Sequence, residues 1–164
     1  MLRDKNLVPL SRQHQHALAL CVRIDRASPV PVSDLPAWQS EIAEHFRTEI
    51  RVHFVAEEQF VFPAARTFQE LSPLVEELVD DHLWLRQQFA KAEERHLSST
   101  EISEFAQRLS AHIRKEERQL FEQLQQLISK EELAKIGAHL DQALKDAEQT
   151  CTLAPKPSAR SGSL

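Results

Sequence analysis

Apolar residues recur at steps of three and four in five stretches of this chain, the rhythm of amphipathic helices. The first helix is expected to begin after Ser11 as its cap and to end near Ala27, where Ser28-Pro29-Val30-Pro31 forbids continuation. Leu10, Ala17, Cys21 and Ile24 form its seam. The second opens at Ser33 or Asp34 and runs to Phe62, before Pro63, with Phe46, Ile50, His53, Glu57 and Phe60 inward. Ser72-Pro73 starts a third that reaches about His96 on Val75, Leu78, His82, Leu85 and Phe89. A fourth, from Ser99 or Thr100 to about Ile128, carries Phe105, Leu109, His112, Glu116, Leu120 and Leu124. Ser129 with Glu132 reads as a capping box for a fifth, whose edge is Leu133, Ile136, Leu140 and Leu144 and whose end lies near Gln149. The predicted fold is all-α: an antiparallel up-down-up-down four-helix bundle with an additional C-terminal helix over residues 1–149. Residues 150–164, small, polar and proline-bearing, are expected to be a disordered tail.

The polar residues on these seams change the picture. His14, His53, His82 and His112 sit on four different helices, and Glu57 and Glu116 each follow a histidine by four positions, one turn along the same face. A lone histidine on an apolar face is most simply a hydrogen-bonded core residue. Four of them with two carboxylates are another matter, because an unpaired carboxylate in a core costs several kcal/mol. Helix rise allows all six to meet: about 14 residues separate His82 from the end of its helix, and about 14 separate the next helix's start from the His112–Glu116 pair, roughly 21 Å each. The expected site is a dinuclear metal centre held by His14, His53, Glu57, His82, His112 and Glu116. Imidazole and carboxylate without thiolate suit iron, with zinc or manganese as alternatives. Six side chains exceed one tetrahedral zinc and fit two octahedral ions, with both glutamates bridging and an oxo or hydroxo bridge completing the pair.

Composition narrows the partners. The 164 residues carry two glycines, no tyrosine and a formal charge of −5 with both signs interleaved, so no basic stripe offers itself to nucleic acid. No eighteen apolar residues stand together and no signal-peptide core follows Met1, so no membrane partner and a cytoplasmic location are expected. Cys21, in an apolar seam, and Cys151, in the tail, are expected as free thiols. His16 lies about 200° around its helix from His14 and is a secondary alternative as ligand; Glu49, one turn before His53, is a candidate to brace the site from outside. His45, His96 and His139 are assigned to the surface, and Glu58 and Glu117 to solvent.

Leu10-Ser11-Arg12-Gln13-His14, the run from His53 through Glu57-Glu58 to Pro63, Asp81-His82, and the run from His112 through Glu116-Glu117 to Phe121 together resemble the hemerythrin-like, HHE cation-binding domains over about residues 7–128. The resemblance implies a bundle around a non-haem di-iron centre that takes a small diatomic or peroxide ligand. Oxygen-carrying members use five histidines, with HxxxH on the third helix and a last aspartate five residues after its histidine. This chain has Arg86 four after His82 and Glu116 at the four-residue spacing, which is more like the bacterial and iron-sensing members. The function expected is binding or sensing of oxygen, a related small ligand or iron. An enzyme reducing peroxide or nitric oxide, or an interaction protein with a structural metal, are the alternatives.

Overall fold

The computed structural model describes residues 2–153, with side chains to residue 146. Five helices and no strand occur among them. They are α1 (Val8–Ala27), α2 (35–66, entered by the tight turn Val32–Asp34), α3 (Ser72–Glu93), α4 (99–127) and α5 (Lys130–Leu153). Residues 154–164, most of the expected tail, lie outside the described residues, and α5 runs past Gln149 to Leu153. No described helix is long and apolar enough to cross a membrane.

Neighbouring helices run antiparallel, as contacts at both ends of each pair show. Ser28 at the end of α1 meets Ser103 early in α4, while Arg3 before α1 reaches Glu117 late in α4. Arg47 and Glu93, then Arg66 and Glu76, join α2 to α3 from end to end. Lys91 with Glu101 and Lys115 with Glu77 do the same for α3 and α4. α5 lies along the stretch 46–61 of α2 and buries Leu133, Ile136, Leu140 and Leu144, the edge expected of it.

Several boundaries differ from the sequence reading, each for a local reason. α1 starts at Val8, not after Ser11, because Pro9 is tolerated in a first turn and Leu7 and Leu10 are fully buried there. α3 stops at Glu93 rather than near His96: Arg95 takes a left-handed φ of 61°, and His96 N–H and Arg95 N–H return to Lys91 and Ala92 carbonyls in a Schellman closure. Its first residue, Ser72, makes no side-chain cap, and Leu71 precedes it. The cap of α4 is Ser98, reciprocally bonded with Glu101. Ser129 does cap α5, accepting from Glu132 N–H, while its hydroxyl holds the Glu132 carboxylate.

The largest difference is in α2, which passes through Pro63 to Arg66. A π-helical turn over Glu57–Val61, closed by Phe62 N–H on the Glu57 carbonyl, widens the helix just before the proline ring and relieves its clash. The extra residue also advances the inward face. Val61 and Phe62 become fully buried, whereas Phe60, expected on the seam, moves to the flank and stacks on His139 of α5 at 4.9 Å.

The buried apolar residues form two clusters, one around Leu20, Ile24, Ile42, Phe54, Phe89, Phe105 and Leu109, the other around Leu7, Leu10, Phe62, Leu78, Phe121, Leu124 and Leu140. Along every helix of the bundle, the histidines and glutamates of the seam fall between residues of the first cluster and residues of the second. The polar layer is the waist of the core.

α5 closes on the segment before α1 through Gly137, where an added Cβ would stand 2.3 Å from Asn6 Oδ1 and 2.7 Å from its Cβ. Asn6 is tied to Asp4 by both its backbone and side-chain N–H groups and has little room to give. Gly137→Ala is expected to destabilise the protein by about 1–3 kcal/mol. Denaturant unfolding should show Asn6→Gly recovering most of that loss when the two changes are combined.

Candidate metal centre

All six residues expected on the seam converge in the waist. His14, His53, His82, His112, Glu57 and Glu116 are at most 2 % exposed. Their donor atoms form two overlapping groups, His14–His53–Glu57–Glu116 and Glu57–His82–His112–Glu116, with the atoms of each group within 4.8 Å of one another. Both glutamates belong to both groups.

The carboxylates divide their oxygens between the two imidazole pairs. Glu57 Oε1 faces His53 Nε2 at 3.1 Å and His14 Nε2 at 3.7 Å, while its Oε2 faces His82 Nε2 at 3.4 Å. Glu116 Oε2 faces His14 Nε2 at 3.1 Å, and its Oε1 faces His112 Nε2 at 3.2 Å and His82 Nε2 at 3.9 Å. All four carboxylate oxygens, with the Nε2 atoms of His82 and His112, are buried and without a hydrogen-bond partner. His14 and His53 turn their Nε2 atoms on each other at 2.9 Å, where only one proton can lie between them. So many imidazole nitrogens and carboxylate oxygens converging in one buried layer is an arrangement that cations satisfy.

The family model that matches is the hemerythrin HHE cation-binding domain, over residues 8–124. The chain belongs to that family. No curated protein and no solved structure matches it. The matched region takes in α1 to α3 and nearly all of α4, and α5 lies outside it.

In this HHE domain three of the four imidazoles are aimed by a hydrogen bond at the other nitrogen, and His112 Nδ1 has an ion-pair contact only. His14 Nδ1–H donates to Glu117 Oε1 at 2.7 Å, His82 Nδ1–H to Glu58 Oε1 at 2.8 Å, and His53 Nδ1 meets the Gln13 amide oxygen at 2.9 Å. His112 Nδ1 lies 3.5 Å from Asp81 Oδ2, within ion-pair reach but long for a hydrogen bond. With the proton on Nδ1, the Nε2 lone pair is left for the centre. Glu58 and Glu117, assigned to solvent from the sequence, are therefore half-buried and turned onto the imidazoles. Arg86 closes on both oxygens of Glu58 at 2.7 and 3.1 Å, while Ser11 and Arg3 hold Glu117 at 2.7 and 2.8 Å. Ser11, expected as a cap, is spent on that carboxylate. The signal was present: each of these acids is the second glutamate of an HxxxEE run, and Gln13 and Asp81 each directly precede a seam histidine.

Other expectations resolve by position. Glu49 does not brace the centre; it bonds exposed His16 at 3.0 Å, which removes His16 from the site as well. His45, expected to be solvated, is half-buried: its Nε2 is buried without a partner, and burial lowers its pKa. His96 and His139 are exposed. Cys21 is a buried free thiol whose pKa burial lifts to about 12, and the Cys151 side chain lies outside the described residues.

Charge in the layer is balanced internally. Burial alone would depress the His14 pKa, yet Glu116 and Glu117 outweigh it and raise it from 6.5 to about 10. His112 rises to about 9 against the same penalty, through Glu116 and Asp81. Glu57 and Glu116 lie below the ordinary carboxylate value although burial pushes them up, because imidazoles face both. Outside them Glu58, Asp81 and Glu117 fall to about 2, their histidine and cationic partners overcoming partial burial.

These shifts set a pH window for the metal-free protein. The raised histidines stabilise it fully below about 6.5 and lose that contribution as pH climbs through 9 to 10. The depressed carboxylates stabilise it above their ordinary values of 3.8 to 4.5 and lose theirs as pH falls toward 2. Thermal unfolding of chelator-treated protein from pH 3 to 10 should show a maximum between about 4.5 and 6.5. A maximum displaced above pH 8 would contradict the charge assignment.

Proposed function

We propose that this HHE domain holds two iron ions, one between His14 and His53 and one between His82 and His112, with Glu57 and Glu116 bridging both. Its role on this reading is to bind or sense oxygen, a related small ligand or iron itself. The observation that carries the reading is the division of each buried carboxylate between two imidazole pairs. Nitrogen and oxygen donors without thiolate suit iron, and accommodate manganese or zinc. Two imidazoles and both shared carboxylates would hold each ion, and iron bound there would supply reversible ligand or electron chemistry. The protein's own part is to fix the donors, hold the Nδ1 protons outward on Glu117, Glu58 and Gln13, and wall the layer with Phe54, Phe62 and Phe121.

Elemental analysis of protein from iron-supplemented cells should give two iron ions per chain. His53→Ala or Glu116→Ala should abolish that stoichiometry and His139→Ala should preserve it; equal metal content in all three would sink the assignment. A reversible change in the optical spectrum between air and nitrogen, without turnover, fits the binding role. Reduction of peroxide or nitric oxide well above the rate of free iron would replace it with an enzymatic one.

Loading the site must also expel protons, since His14 and His112 are protonated at neutral pH in the metal-free layer and bind a cation only when neutral. Calorimetric titration with ferrous iron at pH 7 in buffers of different ionisation enthalpy should therefore register net proton release. Affinity should weaken further as pH drops toward about 5. An affinity flat across that range would exclude histidine ligation.

A further inference from the structure

The two halves of the waist are related by an approximate two-fold repeat that is broken where Phe54, after His53, stacks on His82 while Ile113 follows His112, and again in the residues that precede His14 and His82. Glu58 on His82 corresponds to Glu117 on His14, each braced by an arginine, Arg86 and Arg3. Phe62 against His82 at 5.3 Å corresponds to Phe121 against His14 at 5.7 Å. The residue before each single histidine turns to the other imidazole of its pair: Asp81 to His112, and Gln13 to His53. One is a carboxylate and the other an amide.

That difference matters to a bound cation. A carboxylate behind an imidazole N–H makes the opposite nitrogen a stronger donor than a neutral amide does, and such outer partners typically change metal affinity by about 10–100-fold. Behind His82 stands Glu58 in a hydrogen bond and behind His112 stands Asp81 at an ion-pair distance of 3.5 Å; behind His14 stands Glu117, and behind His53 only an uncharged amide. Asp81 is shared with Lys115 at 3.0 Å and Arg108 at 3.7 Å, which keeps it ionised and in place. Donor spacing does not offset this. The closest donor pairs are 2.9–3.1 Å apart on the first side and 3.2–3.4 Å on the second, both near the edge of about 3 Å expected for cis ligands with bonds of about 2.1 Å.

We infer that Gln13 makes the two cation positions unequal: the His82–His112 position holds a resident ion, and the His14–His53 position is the weaker, exchangeable one. This rests on the dinuclear reading above. It gives the centre an occupancy that follows free metal at one position only, the property a metal-level sensor requires.

The test is a stepwise titration of metal-free protein with Co2+, followed by visible absorption, and anomalous scattering from crystals loaded with one equivalent. The first ion should lie against His82 and His112, and the two dissociation constants should differ by about 10–100-fold. Gln13→Glu should tighten the second step by about tenfold or more while leaving the first unchanged; Asp81→Asn should weaken the first by a similar factor. Equal steps, a first ion against His14 and His53, or a Gln13→Glu variant with the wild-type ratio would each overturn the inference while leaving two bound ions. Fewer than two ions at saturation would instead overturn the dinuclear reading beneath it. The half-loaded wild-type crystal decides the order even where a variant fails to fold.

Discussion

Two glutamates with no solvent exposure, Glu57 and Glu116, each face imidazoles of both pairs across the middle of an apolar bundle, and much else in the structure is an answer to them. Burying even one ionised carboxylate costs several kcal/mol after relaxation, so the pair could not persist in a waist of leucine and phenylalanine alone. The four imidazoles are that compensation. They arrive from four helices because no single helix face could deliver four donors to one layer, and antiparallel packing brings the helices to a common height.

Aiming those imidazoles takes a second ring of side chains, built by short-range rules. In a helix the residue after an inward-facing glutamate lies about 100° around the barrel, toward the adjacent helix. Glu58 thus reaches His82 on α3 and Glu117 reaches His14 on α1. The residues before His14 and His82 lie the opposite way and reach α2 and α4. Both buried glutamates also begin a π-helical turn, Glu57–Val61 and Glu116–Leu120, which shifts the following face so that Val61–Phe62 and Leu120–Phe121 close the layer from the second apolar cluster.

How far the sequence could be read follows from which forces act within a helix and which between helices. The six seam residues were legible because steps of three and four are dictated by helix geometry, and each polar residue interrupted an otherwise apolar rhythm. Glu58 and Glu117 were not, since nothing in their own helix says that a neighbour's Nδ1 waits for them. Phe60 was misplaced because a π turn adds a residue to the period without altering composition. Pro63 was overrated as a stop for the same reason. Ser11 illustrates competition: its hydroxyl could cap a helix or serve Glu117, and the buried leucines at positions 7 and 10 settle the helix start upstream, freeing it for the carboxylate.

Arg86 shows how the same scaffold can be biased. It occupies the place, four residues after His82, where an additional imidazole could enter the centre, and it instead lays its guanidinium over Phe54 at 5.4 Å and clamps Glu58. A donor is thereby exchanged for a cation that fixes an existing donor. Each side of the layer keeps two imidazoles, so the proposed inequality between the sides rests on what stands behind them: an amide at position 13 against a carboxylate at position 81.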